Sequence, residues 1–266
     1  MVDTGCWMAA QLVKLFLIIT TAYANLIPDI VFQNKMPVYQ GMHFIQHQVS
    51  SIFINVLIMS KENNIINSSS LPVMEHFYTL QGEGYHQGRA AYFIRLGGCD
   101  VGCVWCDVKD SWDSSVHEQI NVNSLLLQVK ETRAAIVVIT GGEPLMHNLD
   151  ELTLALQANG FKTHIETSGA HPLSGYWNWI CLSPKKFKPP LPEIVPLAHE
   201  LKIVVFNASD LEWAEKYAAM VSPACKLYLQ PEWDKAASVT PLIIDYNKTN
   251  PQWELSLQLH KYIDVP

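Results

Sequence analysis

From Leu71 onward, short apolar runs rich in β-branched and aromatic residues alternate with helical stretches, and no other feature constrains the fold so strongly. The apolar runs predict strands at 90–96, 134–140, 162–166, 179–182, 201–205 and 226–230. The stretches between them predict helices at 122–132, 149–158 and 210–219, with Gly160 ending the second. This order of strands and helices implies an α/β fold with a parallel sheet and right-handed crossovers.

Several of these strands end in a polar or glycine-bearing segment. The segments are TGGEP at 140–144, ETSG at 166–169, SPKK at 183–186 and QPE at 230–232. In α/β barrels the active site lies at the carboxyl ends of the strands, where the following loops meet. We therefore expect these segments to line one site.

The first sixty residues form a region of different composition. Their charged side chains are Asp3, Lys14, Asp29 and Lys35. We interpret residues 1–70 as an extension, either a misassigned start or a disordered segment, ahead of a domain at 71–266. A cleaved targeting signal is the alternative, although Lys14 interrupts the apolar run and no basic segment precedes it. N-terminal sequencing of the native protein distinguishes these interpretations.

Composition also limits the partners. The 266 residues carry a formal net charge of −7, which argues against broad binding to a nucleic-acid backbone. The uncharged stretch at 36–60 contains too many polar side chains for the core of a bilayer. We therefore expect neither a nucleic acid nor a membrane as a partner.

A C-x3-C-x2-C motif is formed by Cys99, Cys103 and Cys106. Three thiolates at this spacing suit a [4Fe–4S] cluster with a protein ligand on three of its irons, whereas an electron carrier would supply a fourth cysteine. The open iron can bind the amine and carboxylate of S-adenosylmethionine, which is then reduced and split to give a 5′-deoxyadenosyl radical.

The same motif has a competing interpretation as a zinc site. The fourth zinc ligand would be Cys181, Cys225 or His86. Structural zinc sites usually combine two closely spaced ligand pairs, and the sequence contains no second pair. We interpret Cys181 and Cys225 as buried thiols in apolar surroundings, which favours a reducing compartment, the cytoplasm.

The segment GGEP at 141–144 supports the cluster interpretation. Its glycines allow a ligand to approach the backbone, and Glu143 can accept a hydrogen bond from an ammonium group. Together with the cysteine motif, it resembles the radical S-adenosylmethionine superfamily. Arg95 is predicted on the strand face opposite Ile94 and Leu96, from which it can reach a carboxylate held beside the cluster.

A longer set of motifs resembles one family. The segment FYTLQGEGYHQGRAAYFIRLGGCDVGCVWCD at 77–107, with GGEP, ETSG, LSPK, LQPE and the closing HKYIDVP, is similar to the 7-carboxy-7-deazaguanine synthases of 7-deazapurine (queuosine precursor) biosynthesis. The resemblance runs from about residue 72 to residue 266 and does not cover residues 1–70.

The resemblance implies a fold, a reaction and partners. The fold is a partial, abridged TIM-type barrel of the radical S-adenosylmethionine superfamily, in a homodimer. The enzyme converts 6-carboxy-5,6,7,8-tetrahydropterin to 7-carboxy-7-deazaguanine with loss of ammonia, using a [4Fe–4S] cluster, S-adenosylmethionine as a regenerated cofactor, and Mg²⁺. An external donor such as flavodoxin or ferredoxin supplies electrons.

The resemblance also assigns roles by motif position, with no catalytic side chain beyond the cluster and cofactor. The residues corresponding to substrate contacts are Leu80, Gln81, Gly82, Arg95, Thr140 and the terminal Pro266. Those corresponding to contacts with S-adenosylmethionine are Trp105, Cys106, Asp107, Gly142, Ser168, Ser183, Pro184, Lys185, Gln230, Pro231, Glu232 and Trp233.

One position departs from the family pattern. The family commonly has Cys-Asp-Thr, with threonine as a Mg²⁺ ligand, where this chain has Val108. An isopropyl group cannot coordinate a hard cation that requires oxygen ligands. Mg²⁺ would then be held by substrate oxygens, water and Asp107 or Asp110, or else Lys109 would supply the positive charge. We predict a weaker Mg²⁺ dependence than in relatives with threonine.

Two other functions compete with the ring-contracting synthase. A glycyl-radical activating enzyme shares the cysteine motif, but its protein substrate needs no pterin clamp such as the Gln-Gly-Glu-Gly segment and Arg95. A non-catalytic iron–sulfur electron carrier would need a fourth cluster ligand and leaves GGEP without a role.

Overall fold

The computed structural model describes residues 68–266, so the interpretation of residues 1–67 as an extension lies outside the described residues. The described part contains one sheet, in the order β3-β1-β2-β4-β5-β6-β7-β8-β9. Its strands are β1 (Ser70–Leu80), β2 (Ala90–Leu96), β3 (Glu118–Asn121), β4 (Ile136–Gly141), β5 (Lys162–Thr167), β6 (Trp179–Leu182), β7 (Glu200–Val205), β8 (Lys226–Pro231) and β9 (Trp253–Leu255). Because β3 and β9 are edge strands, the sheet is open and forms a partial barrel.

Strand direction divides the sheet into two parts. β2 and the strands from β4 to β9 pair in parallel, which confirms the parallel sheet predicted from the alternating sequence. β1 pairs antiparallel with both β2 and β3, and β1, β3 and β9 have no counterpart among the predicted strands. β1 contains Pro72, and β3 and β9 are 4 and 3 residues long, so each carries a weak local signal.

The described helices pack between and after these strands. They are α1 (Val122–Lys130), α2 (Asp150–Ala158), α3 (Ser209–Ala218), α4 (Ala236–Thr249) and α5 (Leu259–Ile263). The first three confirm the predicted helices, and Gly160 follows α2 at a φ of +86°, a conformation that suits glycine. α4 was not predicted because Pro241 lies inside it, and proline usually interrupts a helix. Within residues 68–266, no helix is long and apolar enough to cross a bilayer.

The two faces of the sheet carry different side chains. One face packs against the helices through fully buried residues that include Ile94, Ile139, Ile165, Leu201 and Leu229. Burying each such side chain stabilises the fold by about 1.5–3 kcal/mol. Positions that alternate with them on the strands face a cavity and are polar: Arg95, Thr140, Glu166, Lys202 and Gln230. The two-residue alternation of side chains along each strand therefore places core residues on one face of the sheet and cavity residues on the other.

Candidate active site

A cavity of about 260 Å³ opens at the carboxyl ends of the parallel strands. The residues that the family resemblance assigns to substrate, cofactor and cluster line it, except the buried Pro184. The exposed Asp110, considered as an alternative Mg²⁺ ligand, does not line it. Residues as distant in sequence as Leu80 and Pro266 therefore meet in one place. The lining also includes residues without a predicted role, namely Phe77, Glu83, Phe93, Glu166, Lys202 and His260.

The three motif cysteines lie together on the loop after β2. Cys103 packs in a small cluster with Val101 and Ala170, and Cys99 and Cys106 pack against it. Burial raises the pKa of the Cys103 thiol to about 11, although Lys185 acts in the opposite direction. Iron binding displaces such protons, because the thiolate is the form that coordinates metal.

The surroundings of the motif fit a cluster held by three cysteines. The other thiols and the imidazole considered as zinc ligands do not line this cavity: Cys181 and His86 line a separate small cavity, and Cys225 lines neither. Cys181 and Cys225 are both buried free thiols, as the sequence predicted. The cavity thus brings three thiols together, and a [4Fe–4S] cluster held by them would have one iron open to a cofactor.

The GGEP segment packs directly against the cysteine loop. A Cβ on Gly142 would lie 2.2 Å from the carbonyl oxygen of Gly98, and one on Gly141 would lie 2.1 Å from that of Leu96. The backbone N–H of Glu143 donates to the Gly98 carbonyl at 2.8 Å. The glycines are therefore required for close contact between two loops, because any side chain would collide with backbone.

Glu143 binds protein groups in this structure. Its side chain is 1% exposed, and its carboxylate accepts hydrogen bonds from the backbone N–H of Leu145 at 3.1 Å and the Thr167 hydroxyl at 2.5 Å. It also accepts from the backbone N–H of Ser168 at 2.8 Å and from the Ser168 hydroxyl. Four donors fill the lone pairs of the carboxylate, so Glu143 joins the GGEP and ETSG loops where an ammonium acceptor was expected.

Arg95 occupies the predicted strand face, opposite Ile94 and Leu96. Its guanidinium carbon lies 5.8 Å from the centroid of the Phe77 ring. Its Nε forms an ion pair with a Glu75 carboxylate oxygen at 3.0 Å but without hydrogen-bond geometry, and within residues 68–266 this buried N–H has no hydrogen-bond acceptor. A buried N–H that lacks a protein partner on a cavity wall is a fitting contact for an anionic ligand.

A network of charged side chains that the sequence did not predict lies on the floor of the cavity. Lys202 is 4% exposed, and its ammonium contacts Glu83 and lies 3.3 Å from a Glu166 carboxylate oxygen. The other Glu166 oxygen accepts from the Gln81 amide at 2.9 Å, and the Gln258 amide donates to Glu83 at 3.1 Å. Burial disfavours the charge of Glu83, but Lys202 outweighs it and lowers the Glu83 pKa to about 2.

The C-terminal segment closes one side of the cavity. The backbone N–H of Leu259 donates to the Gly82 carbonyl at 2.9 Å, and a Cβ on Gly82 would collide with the His260 ring. Lys261 lies 2.6 Å from an Asp107 carboxylate oxygen, with its ammonium 4.9 Å from the Trp233 ring centroid. These contacts bring the last helix and Pro266 to the site.

The position expected to bind Mg²⁺ does not fit that ion. Val108 lines the cavity with an isopropyl group, and the neighbouring Asp107 is already paired with Lys261. Among residues 68–266, no three histidine, cysteine or carboxylate side chains are placed to hold a single metal ion. Lys109, the sequence-based candidate for a positive charge, is exposed and does not line the cavity. The ammonium group that contacts Asp107 is instead that of Lys261.

The cofactor side of the cavity carries polar side chains that bind one another. The Lys185 ammonium donates to the Ser183 hydroxyl and lies 5.5 Å from the Trp105 ring centroid. Gln230 accepts from the Ser256 hydroxyl at 2.8 Å. Glu232 accepts from the backbone N–H groups of Asp234 and Lys235, which caps the turn at Trp233–Lys235.

Comparison with known proteins gives one consistent result. The model of the Radical SAM superfamily matches residues 93–187. A 7-carboxy-7-deazaguanine synthase from Flavobacterium psychrophilum is 51% identical over 196 residues, which cover 74% of this chain and 93% of the relative. The synthase from Synechocystis is 49% identical over 196 residues, with 74% and 94% covered.

More distant relatives agree. The synthase from Escherichia coli is 36% identical over 221 residues, which cover 73% of this chain and 98% of the relative. The crystal structure of QueE from Escherichia coli superposes with a TM-score of 0.65 at 35% identity, covering 72% of this chain and 95% of that chain. The matched regions include nearly the whole length of each relative.

Proposed function

Since this chain belongs to the 7-carboxy-7-deazaguanine synthase family of radical S-adenosylmethionine enzymes, we propose that it converts 6-carboxy-5,6,7,8-tetrahydropterin to 7-carboxy-7-deazaguanine with loss of ammonia. The family uses a [4Fe–4S] cluster and S-adenosylmethionine. One observation carries the substrate assignment: the cavity places two carboxylates and Arg95, whose Nε–H is ion-paired with Glu75 but has no hydrogen-bond acceptor within residues 68–266, around a space beside the three cysteines.

The shape and charge of the cavity suit a carboxypterin. Arg95 can bind the carboxylate, because a guanidinium presents paired donors to two oxygens. The aminopyrimidinone edge of a pterin presents N–H donors, and Glu83 and Glu166 supply the acceptors for them. Phe77 and Phe93 provide apolar surface between these polar ends and exclude water from the reacting ring.

The cofactor residues lie on the other side of the cavity. When bound, the cluster and S-adenosylmethionine supply the radical that starts the rearrangement. We propose that the residues assigned by motif bind this cofactor, and their place along the cavity wall supports that proposal. Within this set, Lys185 and Ser183 offer charge and a hydroxyl, and Trp105 offers an aromatic surface.

We propose a weaker dependence on Mg²⁺ than in relatives with threonine at the position of Val108. Two features support this: Val108 has no ligand atom, and Asp107 forms an ion pair with Lys261. The Lys261 ammonium provides a positive charge beside the site without a metal ion. Activity measured in a Mg²⁺ titration, with a chelator-treated sample as the zero point, gives the direct comparison.

The remaining partners follow from the chemistry. A radical S-adenosylmethionine enzyme needs a reductant and, in this family, a small-molecule substrate. We propose flavodoxin or ferredoxin as the donor, a homodimer as the assembly, the cytoplasm as the compartment, and 71–266 as the catalytic domain after an extension at 1–70. The cysteine loop supports a docking donor because Val104, between two cluster cysteines, is 68% exposed.

An anaerobic assay tests the function and both rivals. The reconstituted protein is incubated with the carboxypterin, dithionite and S-adenosylmethionine. The synthase forms a 7-deazapurine chromophore, whereas an electron carrier forms no product and a glycyl-radical activating enzyme cleaves the cofactor without converting the pterin. A reconstituted protein that cleaves the cofactor but leaves the pterin unchanged would refute the proposal.

A further inference from the structure

We infer that Lys202 is a positioning residue for this reaction: its buried ammonium holds the carboxylates of Glu83 and Glu166 together as two ionised acceptors for the N–H donors of the pterin edge. The inference rests on the proposed function. It adds a residue that makes no assigned contact with substrate or cofactor and acts through its two neighbours.

The first support is geometric. Lys202 lies on β7, Glu166 on β5, and Glu83 on the loop between β1 and β2, so three separate elements meet at one ammonium group. The Lys202 side chain is 5% exposed, whereas those of Glu83 and Glu166 are 15% and 23% exposed. The ammonium is therefore the enclosed member of the trio, and the carboxylates are the members that the cavity can present to a ligand.

The second support is electrostatic. Two carboxylates that contact the same atom repel each other strongly once that atom loses its charge, and one of them then retains a proton. A protonated carboxyl group cannot accept from two donors as a carboxylate does. Lys202 prevents this outcome, since its own pKa is raised well above the usual value, against burial, by Glu166 and Glu83.

Other charged and titratable groups surround the trio. They are Cys181 on β6, Glu200 on β7, Lys185 after β6, and His260 on α5, with Arg95 on β2 facing His260. Burial raises the pKa of Cys181 well above its usual value and lowers that of His260, so both are uncharged at neutral pH. Glu200 is held by Trp179 and the backbone N–H of Tyr85.

Lys202→Met tests the inference because it keeps most of the unbranched side chain and removes the ammonium group and its charge. The probe is 6-carboxypterin, an unreactive oxidised analogue of the proposed substrate, titrated into anaerobic holoenzyme between about pH 5.5 and 7.5 and followed by its fluorescence. The matched control is Lys248→Met, since the Lys248 side chain is 69% exposed and, within residues 68–266, forms an ion pair with the exposed Asp245 at 3.1 Å. Iron content and circular dichroism report on folding.

The expected result is a change in pH profile. The parent protein and the Lys248 control should bind the probe with a dissociation constant that is flat over this range, because the pKa of Glu83 is about 2. In Lys202→Met the dissociation constant should rise about tenfold per pH unit as the pH falls, since a carboxyl group must lose one proton before binding. Lys202→Arg should restore the flat profile.

A double variant keeps the test decisive if Lys202→Met does not fold. Lys202→Met with Glu83→Gln removes the ammonium and one carboxylate together, so it should fold and bind the probe without a pH slope. A flat profile in a folded Lys202→Met protein, or failure of the double variant to fold, overturns the inference. If the parent itself does not bind 6-carboxypterin, the proposed function fails first, whatever the variants do.

Discussion

Arg95 and Lys202 line the same cavity, but the two cationic side chains differ in how completely protein groups satisfy them. Arg95 forms an ion pair with Glu75 at 3.0 Å, but its buried Nε–H has no hydrogen-bond acceptor within the described residues. Lys202 is enclosed and contacts two carboxylates. A buried donor without an acceptor costs stability, and on the wall of a cavity a ligand can complete it, whereas a paired donor holds protein groups in place. This difference in hydrogen bonding assigns Arg95 to ligand contact and Lys202 to the positioning of neighbouring side chains.

The largest expected effect on activity comes from replacing Arg95, whose Nε–H has no hydrogen-bond acceptor within the described residues. Arg95→Met should lower kcat/KM by more than about 100-fold, because loss of a charged, paired hydrogen bond to a carboxylate costs roughly 3 kcal/mol. Steady-state assays of the reconstituted enzyme measure it, with the exposed Arg133→Met as the control. If Arg95→Met retains parental kcat/KM, the unpaired N–H does not mark the anion contact.

Glu143, like Lys202, is a buried charged side chain whose partners are protein groups, but its partners are neutral donors. Glu143→Gln replaces an acceptor by an NH₂ group that faces four donors, so the free energy of unfolding should fall by about 2 kcal/mol. Urea denaturation measures this loss, and the exposed Glu193→Gln is the control. Equal stability of Glu143→Gln and the parent would mean that the two loops are held by other contacts.

His86 shows that an unpaired group need not be a ligand site. Both of its ring nitrogens are buried without a hydrogen-bond partner in the part of the chain that the structure describes, and it lines a second cavity of about 10 Å³ together with His164. Burial, with the positive charges of Arg89 and Lys162 and the neighbouring imidazole, lowers the pKa of His86 to about 4 and that of His164 to about 3. Both rings are therefore uncharged in the folded protein at neutral pH.

These two histidines predict loss of stability in acid. The unfolded chain takes up their protons near pH 6.5, whereas the folded protein does so only near pH 4 and pH 3, so stability falls as the pH drops between these values. His164 should contribute a slope of at most about 1.4 kcal/mol per pH unit. Urea denaturation from pH 7 to pH 5 measures the slope, and His164→Gln should reduce it. An unchanged slope would contradict the assignment.

The smallest effect concerns the position next to Asp107. Val108→Thr restores a hydroxyl where the family has a metal ligand, so Mg²⁺ should stimulate this variant about threefold more than the parent, a difference below 1 kcal/mol. Mg²⁺ titrations of turnover measure it, and Val116→Thr, at a 69% exposed position, is the control. Equal stimulation of the variant and the parent would show that residue 108 does not decide Mg²⁺ dependence.

The predicted elements share one property, which is a strong local period. The strands at 134–140 and 179–182 and the helix at 210–219 are each long or apolar enough to be recognised without their neighbours, and β4, β6 and α3 match them closely. β9 gives a weak signal with its 3 residues, and α4 contains Pro241, so their existence depends on the packing partners.

By itself, the sequence determined the parallel sheet, the close spacing of the three motif cysteines and the segments at the strand ends, because spacing and period act over short distances. Only the tertiary structure decided that Lys202 meets Glu83, 119 residues away, that Glu143 binds Thr167 and Ser168, and that Lys261 pairs with Asp107. Such pairs depend on strand register and loop docking. Their free energy comes from burial and hydrogen bonding in three dimensions, which no local pattern encodes.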